Sequence, residues 1–181
     1  MQTYISMLRG INVSGQKMIK MDALRQMYEL LNFSKVKTYI QSGNVVFQSP
    51  NTNYLDVEQT IAQQINQTFG FEVPVMVKTL NELKIVTANN PFVEDRHEDI
   101  SKLHVTFLSQ QAQQNYLEKL NTTQYAPDEF VIIANTIYLF CPNGYGKTKL
   151  TNNFFETKLK LSATTRNWKT VNELVNIAEQ L

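Results

Sequence analysis

The sequence predicts an α+β protein of two βαββαβ halves with mainly antiparallel sheets, plus a linking helix and a C-terminal helix. Three observations predict it. Short runs alternate at period two, such as Val36, Thr38 and Ile40 against Lys37, Tyr39 and Gln41, while apolar residues between such runs recur at helical spacing. The order strand, helix, hairpin, helix, strand occurs twice along the chain. A length of 181 residues at 43% hydrophobic content is enough to bury two small cores or one large one.

The first strand spans residues 3–9, and a loop with Gly10 and Gly15 leads to a helix near 21–31. Met21, Leu24, Met27, Tyr28 and Leu31 share one face of that helix. The run from Val36 turns at Ser42-Gly43 into a strand over 44–48, which together read as a hairpin. The helix after Tyr54 has the stripe Val57, Ile61, Ala62, Ile65 and Phe69, with Gly70 as its C-terminal cap. Val73, Val75 and Val77 mark the fourth strand. This order folds as an antiparallel sheet of spatial order 4-1-3-2 with both helices on one face, and Pro74 suits the edge position of strand four.

Thr79 and Glu82 form a capping box for the linking helix, which must end before Pro91. The predicted organisation is thus residues 1–90 as the first half with the linking helix, 91–101 as an acidic connection, and 102–181 as the second half with the C-terminal helix. In the second half a strand spans 102–108, a helix carries Ala112, Tyr116, Leu117 and Leu120, and a hairpin joins 130–134 to 137–141 through Asn135-Thr136. A loop over 142–147 precedes a helix with Leu150, Phe154, Phe155 and Leu159, then a strand over 162–166. The last helix carries Trp168, Val171, Leu174, Val175 and Ala178 on one side, with Asn167 as N-cap.

The net charge of +1 gives no overall attraction to polyanions, so nucleic-acid binding would need a local patch. A single cysteine, Cys141, excludes an internal disulfide and every multi-cysteine metal pattern, and it reads as a buried apolar residue. No segment has the length and apolarity of a signal peptide or a membrane span, so the expected location is cytoplasmic, with no membrane partner. No cofactor and no metal site is implied. The acidic residues around His97 read as a solvated loop.

The topology places two polar clusters. In the first half, Arg9 and Asn12 leave strand one at the sheet end where Gln41, Ser42 and Asn44 turn the hairpin. Arg9 could hold a carboxylate or phosphate in a bidentate fork while the amides read neighbouring polar atoms; alternatively the amides satisfy local backbone. In the second half the loop with Lys147 and Lys149 falls at the same sheet end as Arg166, Asn167 and Trp168, beside helix N-termini that favour anions. Gly146-Lys147-Thr148 imitates the end of a phosphate-binding loop, but Cys141 stands where that motif needs glycine. An RNA-recognition reading is weakened at the third strand, where Asn44 and Val46 stand in place of the stacking aromatics. His104 has no partner assigned by sequence, and no catalytic residue is identified.

Segments 8–13 (LRGINV), 39–47 (YIQSGNVVF), 90–92 (NPF) and 164–168 (TTRNW) resemble, in order and over nearly the whole chain, the signature segments of the bacterial domain of unknown function family 1697. The resemblance implies a pair of ferredoxin-like subdomains and carries over no activity, substrate or catalytic residue. The leading expectation is therefore binding, with or without turnover, of a small anionic or nucleotide-like metabolite by the Arg9 and Arg166 segments. The competing reading is an interaction or scaffold protein with structural arginines, and the third is RNA binding through a ferredoxin-like sheet. Exposed edge strands, that over 73–77 included, leave a homo-oligomer open.

Overall fold

The computed structural model describes residues 1–120 and 122–181. The chain divides into two compact units, Met1–Lys84 with Glu173–Leu181, and Ile85–Asn172. Each contains one four-stranded antiparallel sheet.

The first unit runs β1 (Gln2–Leu8), α1 (Met21–Leu30), β2 (Ser34–Tyr39), β3 (Asn44–Ser49), α2 (Tyr54–Phe69) and β4 (Val75–Thr79). Its sheet order is β2-β3-β1-β4, the ferredoxin-like arrangement. Tyr4 and Leu8 of β1, Val45 and Phe47 of β3, and Val77 of β4 face α1 and α2, which contribute Leu24, Met27, Tyr28, Val57, Ile61 and Ile65 to one core. Phe33 stacks on Phe47 at 4.6 Å, and the buried Tyr28 hydroxyl is satisfied by Ser6 Oγ at 2.8 Å. Asn53 caps α2 through Leu55 N, and Gly70 ends it at φ +80°, a left-handed cap that costs glycine nothing. Pro74 precedes β4, so no ladder hydrogen bond is lost to its ring, and its carbonyl accepts from Arg9 N at 3.0 Å.

The capping box forms as expected. Thr79 Oγ1 accepts from Glu82 N at 3.2 Å, and Glu82 Oε2 accepts from Thr79 N at 2.7 Å, starting α3 (Leu80–Ala88). A short α4 (Pro91–Glu94) follows, with Asn90 as N-cap and proline in its first turn.

The second unit continues with β5 (Leu103–Leu108), α5 (Gln114–Leu117), β6 (Glu129–Ile133), β7 (Thr136–Phe140), α6 (Asn152–Leu159), β8 (Ala163–Asn167) and α7 (Trp168–Glu179), whose last residues belong to the first unit. The sheet order β6-β7-β5-β8 repeats that of the first unit. Its core holds Leu108, Phe130, Ile137, Leu139, Cys141, Leu150, Phe155, Leu159 and Ala163. Thr151 caps α6, and Asn167 caps α7 by accepting from Thr170 N at 2.7 Å.

Two local expectations shift. The helix expected to reach Leu120 is a single turn, α5 (Gln114–Leu117), and a 3-10 turn, Thr122–Tyr125, follows it. The hairpin turns at Ala134-Asn135 rather than Asn135-Thr136. The register pairs Ile133 with Thr136, which keeps β-branched Thr136 in the strand and puts the positive φ on Ala134.

Candidate functional site

At one end of the first unit, β1 and the β2-β3 hairpin meet as the topology requires. Leu8 N donates to Gly43 O at 2.8 Å. Gly43 has φ +77°, and a Cβ there would stand 2.6 Å from Ile11 Cδ1 and 2.8 Å from Leu8 Cβ, so only glycine fits this crossing. Asn12, itself at φ +55°, pins the following loop: its Oδ1 accepts from Ile19 N at 2.8 Å, and its Nδ2 donates to Ile19 O and Gln41 O at 3.0 and 2.9 Å. Asn44 is buried and donates to Tyr39 O and Ser42 Oγ. The amides of Asn12 and Asn44 thus bond the protein's own loops. Arg9 is half-buried, and Gln41 is exposed on a pocket of about 490 Å³ shared with Asn12, Met18 and Lys20.

In the second unit, strand parity separates residues that the sequence groups together. Ala163 packs in the core, and Thr165 Oγ1 reaches Asn152 Oδ1 on α6 at 2.6 Å, so these positions face the helices. Arg166 lies on the opposite face. It is 9% exposed and donates from Nη1 to Thr165 O at 2.9 Å, and burial holds its pKa down at about 10. Asn167 is committed to capping α7, and Trp168 is buried.

Lys147 and Lys149 lie on the loop after β7. Thr148 between them is buried, its Oγ1 accepting from Leu150 N at 3.0 Å. With Thr148 tied inward, both lysines are exposed, and neither ammonium group makes a hydrogen bond or ion pair among the described residues. They line a pocket of about 430 Å³ with Asn143, Gln124, Tyr125 and Asp128. Tyr125 is braced edge-on against Phe154 at 5.0 Å, which fixes that wall. Sequence reading missed the wall from 124 to 128. The signal was topological: in an antiparallel hairpin the residues before β6 end up beside those after β7.

Tyr145 of the same loop stacks on His104 at 4.7 Å, anchoring the loop to β5. Burial lowers the His104 pKa, partly offset by a hydrogen bond with the Lys102 backbone, and its Nδ1 has no partner among the described residues. Burial pushes the Cys141 thiol up to about 11. In the acidic connection, Arg96 lies over the Phe92 and Phe140 rings and bonds both Glu98 and Glu129. No group of three or more His, Cys, Asp or Glu among the described residues is arranged to hold a metal ion. No helix among them is long and apolar enough to cross a membrane.

A comparison with curated proteins finds no match. Among solved structures the chain is similar to the conserved bacterial protein SP0830 from Streptococcus pneumoniae, at 23% identity over 98% of each chain and a TM-score of 0.74, a likeness of fold. Over residues 1–138 the sequence matches the family described as protein of unknown function (DUF1697), and the chain belongs to that family.

Proposed function

We propose that the protein binds a small anionic metabolite in the pocket bounded by Lys147 and Lys149. The observation that carries this reading is the pair of lysines whose ammonium groups have no partner among the described residues, set with the Asn143 and Gln124 amides around a cavity of about 430 Å³. Two ammonium groups attract a phosphate or carboxylate, and the amides and Tyr125 add directional and flat contacts. Asp128 on the same wall favours a ligand with a hydroxyl or amino group beside its anionic one. The sequence-level anchors Arg9 and Arg166 are not part of this pocket's lining.

The test is thermal denaturation of wild type, Lys147→Ala and Lys149→Ala with pyrophosphate, ATP, a sugar phosphate and citrate. A ligand at about a hundred times its dissociation constant adds about 2.7 kcal/mol to wild type. That shift should be lost or cut several-fold in both variants, whose exposed side chains leave the fold intact. No shift with any of the four compounds, or a shift unchanged in both variants, overturns the reading.

A second reading, an interaction protein with structural arginines, is favoured by one observation: the Arg166 guanidinium is buried and bonded to a backbone carbonyl. Arg166→Ala would then lower stability without altering the ligand response of the folded protein.

A further inference from the structure

Each sheet presents two outer strands, and three of the four are closed to pairing by a visible device. On β4 the Val77 N–H donates to Glu58 Oε1 of α2 at 2.7 Å, and on β8 the Ala163 N–H donates to Glu156 Oε1 of α6 at 3.0 Å. β2 is interrupted by a bulge between Ser34 and Lys37, with Lys35 at φ +51° and lysines at 35 and 37. Carboxylate caps, bulges and lysines are the means by which edges avoid addition of another strand.

Among the described residues β6 has none of these. Its sequence is Glu129-Phe130-Val131-Ile132-Ile133, with Val131 36% and Ile133 44% exposed. Its single charge, Glu129, is neutralised by Arg96 through bonds of 2.7 and 3.0 Å. The two-residue turn makes Ile133 and Thr136 the hydrogen-bonded closing pair, so Ile133, Val131 and Glu129 turn their backbone groups toward β7. Phe130 and Ile132 therefore point theirs outward.

We propose that β6 is a dimerisation edge, two copies of this chain pairing antiparallel about a two-fold axis at Val131. The outward-facing residues lie symmetrically about Val131, so Phe130 of each copy meets Ile132 of the other in a hydrogen-bonded pair. Val131 then opposes Val131, and Glu129 opposes Ile133, leaving no like charges face to face. This self-complementarity singles out a second copy as the occupant. The same operation on β2 would set Lys35 against Lys37.

Sedimentation velocity of the full chain across a concentration series tests the proposal, with Val131→Lys, Val131→Cys and the control Ile40→Lys, whose site is an exposed position in the first unit. Wild type and Ile40→Lys should dimerise. Val131→Lys, folded by circular dichroism, should raise the dimer dissociation constant at least about tenfold, because it places like charges directly opposite. Val131→Cys should form a covalent dimer under mild oxidation, its partner thiol lying across a close non-hydrogen-bonded pair, while buried Cys141 stays unreacted. A wild type that remains monomeric at every concentration overturns the proposal. So does a dimer that survives Val131→Lys, or failure of Val131→Cys to cross-link.

Discussion

At the scale of single residues, the side chains of Asn12, Asn44, Arg166 and Asn167, all flagged by sequence, hold the protein's own backbone, and His104 is the one whose state should be felt in solution. Its folded pKa lies below the ordinary value of 6.5 because burial disfavours the imidazolium. The neutral ring's contribution to stability is therefore fully present above pH 6.5 and is lost as pH falls through the lower folded value. His104→Phe keeps a ring against Tyr145 and cannot titrate. Its melting temperature should fall less than that of wild type between neutral and mildly acidic pH. Equal slopes for the two proteins would show that His104 plays no part in the acid response.

At the scale of elements, the same device closes the fourth strand of both sheets, a carboxylate from the helix just before that strand accepting from its outer edge. Glu58→Ala and Glu156→Ala should each cost about 0.5–1.5 kcal/mol in urea denaturation, the usual worth of one hydrogen bond. Glu58 behaves unusually with pH. Burial raises its pKa in the folded state, so its contribution is fully present below the unfolded pKa and is lost as pH rises through the folded one. Glu58→Gln keeps the acceptor without the charge and should match or exceed wild type at pH 7; a loss as large as that of Glu58→Ala would show that the charge itself is needed.

These elements were largely legible in the chain. Thr79 and Glu82 spell a capping box, Asn167 and Gly70 are caps by residue type, and the spacing of Val57, Ile61 and Ile65 sets the buried face of α2. The site was less so. Strand alternation says that Arg166 and Thr165 face opposite ways, but not that the face away from α6 would be buried at Val105, Phe107 and Arg166. The pocket wall from Gln124 to Asp128 carries no motif, and only the pairing of β6 with β7 brings it to the lysines.

At the scale of the whole molecule, the chain returns at its end to the unit it began with, since Glu173–Leu181 belongs with Met1–Lys84. Leu174, Val175 and Ala178 are buried in that stretch, and burial of three such side chains is worth about 4 kcal/mol. The exposed Lys84–Glu179 pair adds little. Removing residues 173–181 should thus lower hydrogen-exchange protection in β1 and β3 by several orders of magnitude and affect β5 and β7 much less. Equal losses in both sheets would mean that the two units open as one. The lone cysteine gives such experiments a clock. Cys141 is buried in the second unit alone, with its thiol pushed up to about 11, so a soluble thiol reagent can reach it only when that unit opens. Its labelling rate in the unmodified protein times the excursions of one unit and is silent about the other.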